Sequence, residues 1–162
     1  MPPITTRSSA ETADTARDDY DRVMAINLRG EWSCMKYELQ QMCANREVVR
    51  SLTALLSEGL VGDAERGIYH AAKHGILGLT KRAALEYAAR GIRICPWLIW
   101  IPMADQMVAA RHGDAPKAEK NVPMRRVGRL EEIANAVLWI CGDAASYVTG
   151  QPIWVDGGFV MR

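Results

Sequence analysis

From Tyr20 onward the chain carries its apolar residues in two different periods, one helical and one extended. Tyr20, Val23, Met24, Leu28, Met35, Leu39 and Met42 recur near helical spacing, with Asn27 among them, and predict a helix over residues 18–42. A second helix is expected from Gly67 to Ala89, with Gly91 as its stop. The run Ile92 to Ile101 is short and almost wholly apolar, which suits a buried strand. Leu130, Ile133, Ala134, Val137, Leu138 and Cys141 then share one face of a third helix, ended by Gly142 and Asp143. Pro152 to Asp156 reads as a last strand, closed by Gly157 and Gly158. Helix, strand, helix, strand in alternation predicts an α/β sheet with parallel strands. Residues 1–17 are polar and read as a poorly ordered lead-in, and Pro102 to Pro123 as a loop with a helical turn. The segment 45–58 follows neither period well.

Composition narrows the function classes without choosing one. The 162 residues make one domain, and 49% hydrophobic with 24% charged residues is ordinary for a globular chain. A net charge of +1 with interspersed signs suggests neither a nucleic-acid nor a membrane-surface partner. No apolar run approaches the ~20 residues of a membrane span, and Met1 to Arg17 lack a signal-peptide core. The expected location is the cytoplasm. Cys34, Cys43, Cys95 and Cys141 show no C-x-x-C spacing, so free thiols and no metal site are expected. His70, His74 and His112 read as exposed histidines, although two stand beside a tyrosine of interest.

That tyrosine is Tyr69, four residues before Lys73, so the two project from one helix face. A free phenol has a pKa near ~10, too high to accept a proton at neutral pH. A nearby ammonium favours the phenolate, and the tyrosine can then act as base toward an alcohol or acid toward a ketone. Alone, the spacing also describes an ordinary surface pair.

Its surroundings are far more specific. The run from Tyr69 through Lys73, Gly75, Gly78 and Thr80 to Leu85-Glu86 closely resembles the active-site helix of the short-chain dehydrogenase/reductase family. Met24-Ala-Ile-Asn27-Leu-Arg-Gly30 resembles the segment bearing that family's catalytic asparagine. Arg126-Val-Gly128-Arg-Leu-Glu131-Glu-Ile-Ala134 and Val148-Thr-Gly150 through Asp156-Gly-Gly158 are similar to its closing segments. Several motifs in the right order, over residues 18–162, weigh much more than one.

The resemblance implies an incomplete Rossmann-like, doubly wound parallel sheet, its carboxyl-terminal portion, in one truncated domain. It implies hydride transfer between NAD or NADP and a secondary alcohol or ketone. In that scheme Tyr69 exchanges the hydroxyl proton, Lys73 lowers the tyrosine's pKa and binds the nicotinamide ribose, and Asn27 holds a water linking the lysine to solvent. Pro96, Ile99 and Ile101 fall at expected cofactor contacts beside Tyr69 and Lys73. The helices 18–42 and 67–89 are the ones through which the family's subunits pair, so a homo-oligomer is expected.

Three departures from the family pattern accompany these matches. No glycine-rich T-G-x-x-x-G-x-G turn occurs in the 162 residues, so the usual seat for a pyrophosphate at a helix start is missing from them. The slot of the catalytic serine holds Leu56, and Ser57 is one step along, on the opposite side of an extended strand. Arg93 to Met103 matches the family's strand and Pro-Gly turn with three residues missing, placing Trp97 at a close-approach glycine and Ile101 at a cofactor-bonding threonine. Reading Arg46 to Gly59 one base out of frame permits Gly-Ser-Gly-Ala-Ile-Val-Asn-Cys-Ser-Ser-Val-Gly-Gly, the family's strand in register. Two compensating frameshifts would explain the segment, and the middle strand is therefore expected to be impaired as translated. The competing reading is an inactive fragment that acts at most as a self-association module.

Overall fold

The first long helix forms, but in three parts: α1 (Arg17–Met24), a π-helical turn (Ala25–Arg29) and α2 (Gly30–Asn45). The computed structural model that shows them describes residues 11–45, 50–56, 66–99 and 122–161. In the π turn the Gly30 N–H reaches back five residues to the Ala25 carbonyl, and Asn27 Nδ2 donates to the Val23 carbonyl oxygen at 3.1 Å. Four residues overshoot one α-helical turn by about 40°. The wider π turn takes part of that back. Val23, Asn27, Glu31, Met35 and Leu39, every fourth residue, therefore stay on the inner side. Val23, Met35 and Leu39 are buried there, while Asn27 and Glu31 are half-buried.

The second helix, α3 (Gly67–Tyr87), ends in a 3-10 turn (Ala88–Arg90) and in Gly91 at φ 77°, close to the predicted stop. It packs against α1 and the π turn. The approach is closest at Gly75, where an added Cβ would stand 2.9 Å from Leu28 Cδ1. A side chain at this position would have to displace the Leu28 methyls.

Three strands follow the helices into one parallel sheet: β1 (Arg50–Leu56), β2 (Arg93–Ile99) and β3 (Ile153–Val155), in the order β1-β2-β3. The register sets Arg50 opposite Arg93 and Leu56 opposite Ile99, then Trp97 opposite Ile153 and Ile99 opposite Val155. The stretch expected to be impaired thus pairs along its whole length from Arg50 to Leu56. It is unlike the family's strand in sequence, yet its leucines and Thr53 have the apolar, partly β-branched character a parallel strand requires. Trp97, expected at a turn, lies inside β2. Pro96, expected as a cofactor contact, is fully buried within the sheet opposite Thr53, three positions before the strand's end. Lacking an N–H, it also removes one donor from the middle strand.

Alternation along β2 builds a layer on each side. Ile94 joins Met35, Leu39, Ala83, Ala84 and Ile92 under α2 and α3. Cys95, the next residue, packs with Ile140 and Ala145 on the opposite face, beneath α4 (Leu130–Cys141). Full burial of each such aliphatic side chain stabilises the fold by about 1.5–3 kcal/mol. The inner face predicted for α4 needs correction. Ile133 and Ile140 are its buried residues, whereas Leu130 is 64% and Leu138 69% exposed. The polar residues Glu131 and Asn135 share the side opposite Ile133 and Ile140, and Leu138 lies beside them, so the buried stripe is narrower than the apolar positions suggested.

Two polar groups tie the far layer together. Arg93 is buried at the start of β2, with Nη1 donating to the Ala145 carbonyl at 2.7 Å and Nη2 to the Ile140 carbonyl at 2.8 Å. Longer contacts of 3.3 Å reach the Val148 and Gly142 carbonyls. Carbonyls at a helix end lack helical donors, and here a guanidinium supplies them. Asp156, also buried, accepts from Gly158 N at 2.9 Å and Val160 N at 3.0 Å, holding the turn after β3. Gly157 in that turn has φ +63°, and an added Cβ would meet Val122 at 2.6 Å. The closing Asp-Gly-Gly of the sequence is explained by this turn.

Candidate active site

Tyr69 and Lys73 lie on the first turns of α3, both half-buried, with Lys73 Nζ 5.4 Å from the centre of the Tyr69 ring. The i, i+4 spacing does what the sequence predicts of it. His70 stands edge-on to the same ring, centroids 6.3 Å apart at 74°. Contrary to expectation His70 is buried, 7% exposed. It shares the inner face of α3 with Leu77 and Ala84, spaced by sevens, a signal that was present in the sequence. His74 matches the expected exposure, its Nδ1 2.9 Å from the His70 carbonyl oxygen. His112 lies outside the described residues.

Across from α3, the contact of Leu28 with Gly75 holds the π turn, and Asn27 with it, against the helix two residues beyond Lys73. One turn after Asn27 comes Glu31, which sequence reasoning passed over. Burial pushes the Glu31 carboxyl above its ordinary range; the charge of Lys73 opposes that, and Glu38 adds to it. Glu31 is thus within electrostatic reach of the lysine.

The sheet contributes less that is polar. Leu56 is the last paired residue of β1, opposite Ile99, the last of β2. These backbones mark the carboxyl edge of the sheet, where parallel α/β folds place their ligands. Ile101 lies outside the described residues. Among the described residues no three His, Cys, Asp or Glu side chains come together as a metal site, and no helix is long and apolar enough to cross a membrane.

With this geometry in place, residues 4–160 match the family model described as enoyl-(acyl carrier protein) reductase. The chain belongs to the short-chain dehydrogenase/reductase family. It is 38% identical over 156 residues to an uncharacterized short-chain type dehydrogenase/reductase of Sinorhizobium fredii, covering 93% of this chain and 28% of that protein. It is 36% identical over 149 residues to an A-factor type gamma-butyrolactone 1'-reductase of Streptomyces virginiae, covering 88% of this chain and 56% of the relative. Among solved structures, sorbitol-6-phosphate 2-dehydrogenase from Erwinia amylovora aligns with a TM-score of 0.84 at 28% identity, over 97% of this chain and 66% of the other. A putative 2-deoxy-d-gluconate 3-dehydrogenase from Agrobacterium tumefaciens with bound NADP gives 0.82 at 28% identity, over 97% and 65%. The architecture is accordingly the family's α/β, Rossmann-like one. The chain spans from 28% to 60% of the length of the curated relatives it matches.

Proposed function

We propose that the chain carries the proton-exchange half of an NAD(P)-dependent oxidoreductase acting on a secondary alcohol or ketone. The observation that supports it is the Tyr69/Lys73 pair, Nζ 5.4 Å from the ring centre, beside an asparagine-bearing π turn. The ammonium favours the phenolate, so Tyr69 can take the substrate's hydroxyl proton or return it to a forming alkoxide. Lys73, half-buried beside that ring, has three N–H donors, enough to engage the hydroxyls of a nicotinamide ribose as well. Asn27, whose Nδ2 is bonded to Val23, keeps its amide oxygen to accept from a water leading toward the lysine. A bound nicotinamide supplies the hydride donor or acceptor.

Among the described residues, Tyr69, Lys73 and Asn27 fit the nicotinamide end of a dinucleotide. The start of α1 carries Asp18 and Asp19, and that of α4 carries Glu131 and Glu132, so neither attracts a pyrophosphate. The cofactor is therefore proposed at the ribose contacts of Tyr69 and Lys73, with Ile99 at the strand edge. Titrating the chain with NADH and NADPH, and following cofactor fluorescence, tests the reading. Saturable enhancement or quenching supports it, and no change at millimolar cofactor contradicts it.

Leu56 in the serine's place favours a second reading, a non-catalytic member that pairs with a copy of itself. A groove of about 760 Å³ between α1, the π turn and α3 is lined by Met24, Leu28 and Leu79, with Trp32 47% exposed at its side. These are the helices through which an oligomer was expected. Light scattering separates the cases: a dimer lost in Trp32→Glu supports pairing here, and a monomer at all concentrations removes it.

A further inference from the structure

A tyrosine ring turns readily about its last side-chain bond, because that torsion is broad and two-fold. A ring that must present its hydroxyl in one direction is therefore held by what packs on it. Lys73 and His70 both meet the Tyr69 ring. Lys73 Nζ stands 5.4 Å from its centre, and the His70 ring lies edge-on to it, centroids 6.3 Å apart at 74°. The two are not equally able to hold it. Lys73 is half-buried and ends a flexible four-carbon stem, so it brings charge to the ring without fixing it. His70 is buried, and it continues the line of Leu77 and Ala84, which are embedded in the core under α3.

We propose that His70 is a positioning residue of this site: its buried ring, edge-on to the phenol, fixes the direction in which Tyr69 presents its hydroxyl. This rests on the Tyr69/Lys73 reading and deepens it, with Lys73 supplying charge and His70 supplying geometry. Edge-to-face is a preferred arrangement of two aromatic rings, the positive edge of one against the negative face of the other. A side chain that exchanges a proton has to stay within hydrogen-bond reach of the reacting group, and small misplacements slow the reaction. A ring anchored in the core, beside one that faces the site, meets that need. The same role explains why a histidine expected at the surface is buried here.

The test needs neither cofactor nor turnover. Tyrosine labelled with ¹³C in its ring gives separate signals for the five tyrosines, and Tyr69→Phe assigns the one of interest. In His70→Ala the Tyr69 ring should flip faster than in the parent. Its Cζ midpoint should rise as the ring leaves the ammonium, lowering the phenolate fraction roughly threefold at a fixed pH, about half a pH unit. His70→Phe, which keeps a ring, should restore both. His70→Leu fills the space without a ring and protects the fold; it should behave as His70→Ala does. Flips as slow as the parent's in His70→Ala or His70→Leu overturn the proposal, as does a His70→Phe chain that restores nothing. Lys73→Met is the separate control. It should move the midpoint and leave the flips as they are, and an unmoved midpoint there sinks the charge reading while the flips still judge His70. Where Lys73→Met does move the midpoint, a His70→Ala chain that leaves it in place also overturns the proposal.

Discussion

Arg93 and Lys73 are both cations withdrawn from water, on opposite sides of the same sheet, and they are used in opposite ways. Arg93 is buried and donates from its two terminal nitrogens to backbone carbonyls, Ala145, Ile140 and, at longer range, Val148 and Gly142, while its Nε finds no partner among the described residues. Backbone acceptors neither titrate nor move, so that arrangement can only hold structure. Lys73 is half-buried and lies beside a side chain that can gain or lose a proton, Tyr69. The difference separates glue from chemistry. A buried cation satisfied by fixed dipoles stabilises the fold, while one satisfied by titratable partners couples their protons.

Breaking the first arrangement should have the largest effect on stability. Arg93→Met removes the guanidinium from four carbonyls, of which those of Ala145 and Gly142 keep a backbone N–H donor, and a loss of about 3 kcal/mol is expected in urea unfolding. Absence of a cooperative transition would be the same result in stronger form. An Arg93→Met chain as stable as the parent would show that the carbonyls find other donors, and would erase the contrast.

A smaller loss is expected where the catalytic layer is pressed together. Gly75→Val drives a Cβ toward Leu28, 2.9 Å away, and overpacking of this kind costs about 1–3 kcal/mol. Leu28→Ala in the same chain should recover part of it, because the obstructing atoms are then gone. Thermal unfolding of the two variants reads this directly, and no recovery would mean that the helices are not in contact there.

The smallest effect belongs to a charge that is neither buried nor catalytic. Glu132 accepts from Arg126 through both oxygens at 2.7 Å and from Arg129 N at 2.8 Å. The Arg126 hydrogen bonds, helped by the Arg129 N–H, hold its carboxyl down at about 2 instead of 4.5. A lowered carboxyl pKa contributes stability that is complete above about pH 4.5 and is lost as the pH falls through about 2. Glu132→Gln should therefore be slightly less stable than the parent near neutrality and equal to it near pH 2. The pair is exposed, so solvent keeps the difference small. A difference that persists unchanged at pH 2 would contradict the ion-pair origin.

Much of this was legible in the residues, and the exceptions have physical causes. Tyr69 and Lys73 were legible because i, i+4 spacing on a helix fixes proximity without reference to anything else. Gly91 and Gly157 were legible because positive φ favours glycine. The π turn was not, since it differs from an α-helix by one residue of winding, and no residue in Ala25–Arg29 announces it. Glu31 escaped for the same reason: its position on the inner seam depends on that extra winding. Leu130 and Leu138 were placed inward because they are apolar, although Leu138 lies beside Glu131 and Asn135 on the polar side of the helix, opposite Ile133 and Ile140. Pro96, which the resemblance makes a cofactor contact, lies opposite Thr53 within the sheet.

The most direct measurement is the ¹³C titration of Tyr69 in the parent chain and in Lys73→Met. The predicted result is a parent Tyr69 that ionises at lower pH than the other tyrosines and moves up when the ammonium is removed. A Tyr69 that titrates with the others, and does so equally with and without Lys73, would contradict the assignment of this helix as a proton-exchange site.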